Sequence, residues 1–209
     1  MKNLSDSKEM AVQRYVDIMT NPGFKALFGD MQNKEAVITI INSLLPDHRK
    51  VADITYLPTE YQGPVVAENK EYRYDFMCHD ASGVAFIVEM QCYHEDHWFK
   101  RCVSYASRAY DRQNRKGESY DVQPVYLIGL MDMEIPHPDK DFWKDRYISE
   151  YTFREKESHD LLDETIIIIF AELTKFRKSI AECEISAFSK DKHAKYQEDM
   201  LDEKRLKGI

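Results

Sequence analysis

Cysteine, glycine and long apolar runs are all scarce in this chain, and each scarcity removes a class of protein. The four cysteines, Cys78, Cys92, Cys102 and Cys183, include no pair at two-residue spacing, so neither a disulfide framework nor a zinc ribbon is indicated. Cys92, His94 and His97 stand close together, but in the acidic loop His94-Glu95-Asp96-His97 they read as surface residues rather than zinc ligands. Among the 7 glycines there is no phosphate-cradling loop and no dinucleotide fingerprint, and no Ser/His/Asp arrangement stands out. The longest insulating run, residues 166–171, is far shorter than the roughly 20 residues that cross a bilayer. The polar opening residues 1–9 carry no export signal, so the expected location is the cytoplasm. A basic excess is also missing: 29 Lys+Arg against 37 Asp+Glu leave −8, which confines any nucleic-acid contact to a local patch.

What is present suits one folded domain, since 209 residues with 43% hydrophobic and 12% aromatic content can bury a single core. Residues 1–20 read as a leader, 21–180 as the domain and 181–209 as a charged helical tail. Asn21-Pro22-Gly23 reads as a break before Phe24, Leu27 and Phe28. Asn33 can cap a helix whose Val37, Ile40, Ile41, Leu44 and Leu45 recur at helical spacing until Pro46-Asp47. Strand patterns follow at residues 51–57 and 72–79, with residues 58–64 as loop between them. Asp80-Ala81-Ser82-Gly83 signals a turn into a nearly continuous apolar strand over residues 84–93. A helical period then covers residues 98–113 up to Gly117, and strands are expected at 125–131, 147–153 and 164–172. This order predicts an α/β fold, a central mixed β-sheet flanked by helices.

The chemistry concentrates on the hairpin, where Asp75 and Glu89 sit in strongly apolar surroundings. Burying an ionised carboxylate without a partner costs several kcal/mol or forces its pKa upward, so a pair of such groups needs an explanation. Along the second strand Glu89 and Gln91 share a face with Ile87, opposite Val88, Met90 and Cys92. A two-residue loop at Ala81-Ser82 would put Asp75 on the other face from Glu89. A three-residue loop, Ala81-Ser82-Gly83, sets Asp75 directly across from Glu89, with Gly83 where a left-handed backbone is wanted. Opposed residues bring their Cβ atoms to about 4.5–5.5 Å, so both carboxylates ionise there only with a cation between them. Hard oxygen ligands of this kind suit Mg²⁺ or Mn²⁺, which can activate water for attack on a phosphodiester.

Tyr74-Asp75-Phe76, a turn, and Ile87-Val88-Glu89-Met90-Gln91 resemble the Asp and Glu-x-Lys strands of PD-(D/E)XK nucleases. They resemble most closely the branch of recombination-promoting nucleases, or PD-(D/E)XK family transposases. Phe24-Lys25-Ala26-Leu27-Phe28-Gly29, Leu44-Leu45-Pro46, Arg101 with Tyr105-Ala106-Ser107, Gln113 with Gly117-Glu118 and Tyr120, Pro124-Val125-Tyr126, and Glu172-Leu173-Thr174-Lys175-Phe176 fall in that branch's order. The likeness covers roughly residues 20 to 180 and implies a restriction-endonuclease-like core. It also implies Asp75 and Glu89 as metal ligands, with Gln91 where the superfamily usually has Lys. A Lys ammonium can offset charge developing on phosphate, whereas a Gln amide can only hydrogen-bond, so Gln91 marks a variant site of a kind the branch commonly carries. The superfamily often adds an acid from its first core helix, but Glu35 falls about 160° from Val37 on the helical wheel and reads as solvated. Glu60 and Glu68, ahead of the hairpin, both remain candidates for a third ligand.

The helix at residues 98–113 carries the basic signal. Arg101, Arg108, Arg112 and Arg115 fall within about 60° of one another on the wheel, opposite Cys102, Val103, Ala106, Ala109 and Tyr110. Residues 100–116 hold six cations and one acid, a net +5, which leaves −13 for the rest. That stripe is the expected phosphate-binding patch, with a solvated helix face as the plain alternative. Gln113 falls among the apolar positions, where it either points back toward the carboxylates or caps a buried backbone group. Together these readings predict an Mg²⁺- or Mn²⁺-dependent DNA endonuclease with Asp75, Glu89, Gln91 and Gln113 as catalytic candidates. DNA is the expected partner, and a homodimer the expected further assembly. The alternatives are a nuclease fold that binds nucleic acid without chemistry and a protein-interaction module using exposed aromatics.

Overall fold

The computed structural model describes residues 17–61, 72–117 and 119–176. The chain divides into two units, Met1–Thr174 and Lys175–Ile209, and the elements below belong to the first. The expected tail at 181–209 lies outside the described residues, as do residues 1–16 of the expected leader.

Asn21-Pro22-Gly23 proves to be the start of helix α1 (Asn21–Phe28) rather than a break ahead of it. Proline lacks the N–H that a first helical turn leaves unpaired anyway, and Thr20 Oγ1 accepts from Gly23 N–H at 3.2 Å. A Cβ on Gly23 would fall 1.9 Å from the Asp17 carbonyl oxygen, so only glycine lets the chain turn this tightly. Helix α2 (Lys34–Leu44) buries Val37 and Ile41. Asn33 occupies its capping position without a capping bond, because its side-chain amide donates to Ala26 O of α1 at 2.9 Å.

Strands β1 (Ile54–Tyr56), β4 (Phe76–Asp80), β5 (Ala85–Gln91), β6 (Val125–Met131), β7 (Ile148–Arg154) and β8 (Leu161–Glu172) form one sheet in the order β1-β4-β5-β6-β8-β7. The pairs β5/β6 and β6/β8 are parallel, and the outer pairs are antiparallel. Two-residue strands β2 (Glu60–Tyr61) and β3 (Tyr72–Arg73) make a separate ribbon in what was expected to be loop and continuous strand. The β3–β4 break falls at Tyr74–Asp75, since Tyr74 and Met77 both pack into the same core cluster and strict alternation cannot place them there.

Alternation along the central strands sends Phe76, Cys78, Phe86, Val88, Ile128 and Ile169 to the side of α1 and α2. Met77, Ile87, Leu127, Met131, Ile168 and Phe170 go to the other side, with Trp98, Cys102, Ala106 and Ala109 of helix α3 (Trp98–Asp111). The result is a mixed sheet between helical layers, the α/β architecture of a restriction-endonuclease-like core. A short helix α4 (Lys140–Trp143) precedes β7. Among the described residues no helix is long and apolar enough to cross a membrane.

Candidate active site

The hairpin takes the register of the three-residue loop. Phe76 pairs with Val88, Met77 with Ile87 and Cys78 with Phe86, and Gly83 has φ +88°, the left-handed conformation that this loop demands. One step beyond that ladder, Asp75 and Glu89 face each other. Asp75 N–H donates to Glu89 Oε1 at 3.1 Å, and Met90 N–H donates to Asp75 Oδ2 at 2.9 Å. Each carboxylate is thus held on the other's strand, Asp75 exposed at the kink and Glu89 only 3% exposed. Burial, and after it the Asp75 charge, push Glu89 up to about 8, although the Asp75 amide and Arg101 pull in the other direction. Two acids with one amide bond between them leave a repulsion that a cation would relieve, and Mg²⁺ commonly takes only one or two carboxylates plus water.

Beneath the pair lies tight packing from β6, β8 and α3. Gly129 pairs with both Glu89 and Phe170, and a Cβ there would fall 2.7 Å from the Phe170 ring and 3.3 Å from Trp98. Tyr105 of α3 packs edge-on against Tyr74 at 5.2 Å, and its hydroxyl is pushed up by burial and then by Glu89. Cys102 is raised for the same two reasons in the same order, so it stays a thiol within the core.

Gln91, 8% exposed, ends β5 on the same face as Glu89. Its Nε2 donates to Tyr93 O, and its Oε1 accepts from Arg101 Nη2 at 2.9 Å. Arg101 also donates from Nη1 to both oxygens of Glu95 at 2.8 and 2.6 Å, and its guanidinium lies 4.8 Å from the Trp98 ring centroid. Sequence spacing grouped Arg101 with an outward stripe; the structure instead turns it to Gln91 at the end of β5 and to Glu95. The wheel gives a direction around a helix, but not where the first turn of that helix meets the end of a strand.

The other predicted residues are spread more widely. Helix α3 ends at Asp111, two residues early: Arg112 N–H still closes a helical bond to Arg108 O, but Gln113 N–H turns to Tyr110 O, three residues back. Arg115 therefore lies in the following loop, exposed, and not on the helix face expected for it. Arg108 pairs with Asp111 at 3.3 Å and sits 5.8 Å from the Tyr72 ring centroid, while Arg112 is exposed at the helix end. Gln113 commits its amide to the backbone: its Nε2 donates to Gln123 O at 2.9 Å and its Oε1 accepts from Gln123 N–H at 3.1 Å. The bonds are those of a backbone cap, but the capped residue, Gln123, is exposed and not buried as that reading had it. Glu60 lies across the small ribbon from Arg73, 3.9 Å from its Nε, and Glu68 is outside the described residues. Glu35 is exposed, as its wheel position predicts. Among the described residues no cluster of three metal-ligating side chains occurs.

One cluster escaped sequence reasoning. Glu172, fully buried at the end of β8, accepts from Ile135 N–H at 2.7 Å and lies 3.2 Å from His137 Nε2. The His137 ring stacks on Trp143 at 4.0 Å. An acid ending a run of isoleucines was the available signal; its partner, 35 residues earlier in a loop, had none.

No curated protein and no solved structure matches the chain in comparison searches. The family model described as PD-(D/E)XK nuclease family transposase matches residues 19–207, nearly the whole sequence and well past the expected domain end at 180. On that match, with the Asp–hairpin–Glu arrangement seated on a mixed α/β sheet, the chain belongs to the PD-(D/E)XK nuclease family transposases.

Proposed function

We propose that the chain is a DNA endonuclease that hydrolyses phosphodiester bonds with a divalent cation, Mg²⁺ or Mn²⁺, held by Asp75 and Glu89. The observation that carries this reading is the cross-strand contact of these two acids, with Glu89 pushed up to about 8 at 3% exposure. Such a pair is poised to exchange a proton for a metal ion near neutral pH. A cation bound there supplies Lewis acidity toward a phosphoryl oxygen and lowers the pKa of water.

The chain's own groups do the rest. Asp75, exposed at the kink, is the side of the pair open to a substrate, and buried Glu89 keeps the pair in a low-dielectric wall. Gln91 retains one amide N–H and one carbonyl lone pair beyond its bonds to Tyr93 and Arg101, which suits it to orient a water. In the hydrolysis the water oxygen bonds to phosphorus and the phosphorus–oxygen bond to the leaving nucleotide breaks. One water proton goes to solvent and the leaving oxygen takes up a proton. Arg108, Arg112 and Arg115, with exposed Lys100 and Lys116, provide phosphate contacts flanking the cut, in the cytoplasm where DNA is accessible.

Plasmid nicking with Mg²⁺ or Mn²⁺ tests the reading. Nicking is expected from the native chain and absent from Asp75→Ala and Glu89→Ala; nicking that persists in Asp75→Ala refutes it. A fold that had kept binding and lost chemistry would bind DNA without metal and show no saturable Mn²⁺ shift in thermal unfolding.

A further inference from the structure

We infer that Arg101 supplies at the reacting phosphate the positive charge that Gln91 does not carry, and that Glu95 holds this guanidinium in place until the phosphate takes it over. The inference rests on the nuclease reading above and deepens it by naming the cation of that same centre.

A glutamine in the strand position beside Glu89 orients water but cannot offset charge building on phosphate oxygens. A cation stands one hydrogen bond further on, where Arg101 Nη2 donates to Gln91 Oε1 at 2.9 Å. Arg101 also acts electrostatically on Glu89, so its charge is felt at the pair itself. Of the two arginines within α3, Arg108 pairs with Asp111 on the helix surface, and Arg101 alone reaches Gln91. The guanidinium is positioned in advance: it stands in the first turn of α3, and the Trp98 ring lies 4.8 Å beneath it.

It is also unsaturated. Arg101 Nε is buried with no hydrogen-bond partner, and Nη2 has a second N–H beyond the one given to Gln91. Glu95 takes Nη1 with both oxygens, so a phosphodiester entering here replaces one anion by another at that nitrogen, while Nη2 and Nε keep N–H groups for its non-bridging oxygens. Exchanging one singly charged anion for another leaves the local charge unchanged. Glu95, with its side chain 44% exposed, returns to water when displaced.

The test uses the full chain and four variants, Arg101→Gln, Arg101→Gln/Gln91→Lys, Arg101→Lys and Glu95→Gln, each with its melting temperature and Mn²⁺-induced shift. Arg101→Gln is expected to keep the Mn²⁺ shift and to nick plasmid at least about a hundredfold more slowly, the usual cost of one charge-stabilising donor. In EDTA, where no cutting occurs, the salt slope of its duplex binding should fall by about one unit, the weight of one phosphate contact. Adding Gln91→Lys should recover at least about tenfold in rate, because a cation is returned to the same centre. Arg101→Gln that nicks within about threefold of the native rate overturns the inference, as does a folded, Mn²⁺-binding double variant without recovery. Should Arg101→Gln fail to fold, the remaining pair decides. Arg101→Lys should stay within about tenfold of native nicking and Glu95→Gln should lower the KM for DNA; absence of both overturns the inference. Native nicking that is indifferent to Asp75→Ala is instead a failure of the nuclease reading, and this inference falls with it.

Discussion

Two buried acids end up in neighbouring parts of one sheet, and they are solved in opposite ways. Glu172 on β8 is fully buried, yet it receives an amide from Ile135 and the His137 ring, itself stacked on Trp143. Glu89 on β5 is 3% exposed and receives one amide; the larger charge acting on it is another carboxylate, Asp75, which Arg101, bonded to Gln91 and Glu95, offsets only in part. Burial is nearly equal; what differs is whether the protein supplies the counter-group. A buried acid completed by its own chain ties elements together, here the loop after β6 to the end of β8. One left incomplete is held ready for something from outside.

The largest expected effect that separates the two is on catalysis. Asp75→Ala and Glu89→Ala should lower plasmid nicking by at least about a thousandfold, whereas Glu172→Gln, away from the pair, should change the rate far less at matched folded fraction. Stability should respond in the reverse sense. Glu172→Ala should lose about 3–5 kcal/mol in urea unfolding, since it strands His137 and the Ile135 amide, while Glu89→Gln should stabilise the metal-free protein at pH 8. A loss of stability in Glu89→Gln under those conditions would break the comparison.

The same contrast has a pH signature. An ordinary glutamate titrates near 4.5 and Glu89 in the fold near 8, so the folded chain keeps a proton that the unfolded chain has released. Its favourable term is complete below about pH 4.5 and is lost as pH rises toward about 8. Urea unfolding of the metal-free protein should show that decline, and Glu89→Gln should flatten it. Smaller again, Gly129→Ala should cost about 1–3 kcal/mol, because its Cβ would meet Phe170 and Trp98 under Glu89. The smallest effects belong to the outer cations: Arg108→Ala and Arg115→Ala should each reduce the salt slope of DNA binding by about one unit, with metal binding unchanged.

The elements with strong local patterns were legible in the sequence. The register that brings Asp75 to Glu89 followed from one glycine at the end of a turn, and β6 and β8 from their unbroken apolar runs. The β2–β3 ribbon was not legible, because two-residue strands are too short to show a period and their partners are far apart in sequence. Pro22-Gly23 was ambiguous, since the same pair breaks or begins a helix depending on the cap before it. At the site, helical phase grouped four arginines, yet one turns to Gln91 and two, Arg112 and Arg115, lie past the last helical residue. Glu172 stood in a recognisable motif, but its pairing with His137 was not legible, since only tertiary folding joins a loop histidine to a strand end.

The most direct test is calorimetric titration of the metal-free chain with Mn²⁺ at pH 7 in buffers of differing ionisation enthalpy. One ion should bind with release of about one proton, from Glu89, and both binding and release should vanish in Asp75→Ala and Glu89→Gln. Binding without proton release that survives in both variants would place the ion elsewhere and contradict the account.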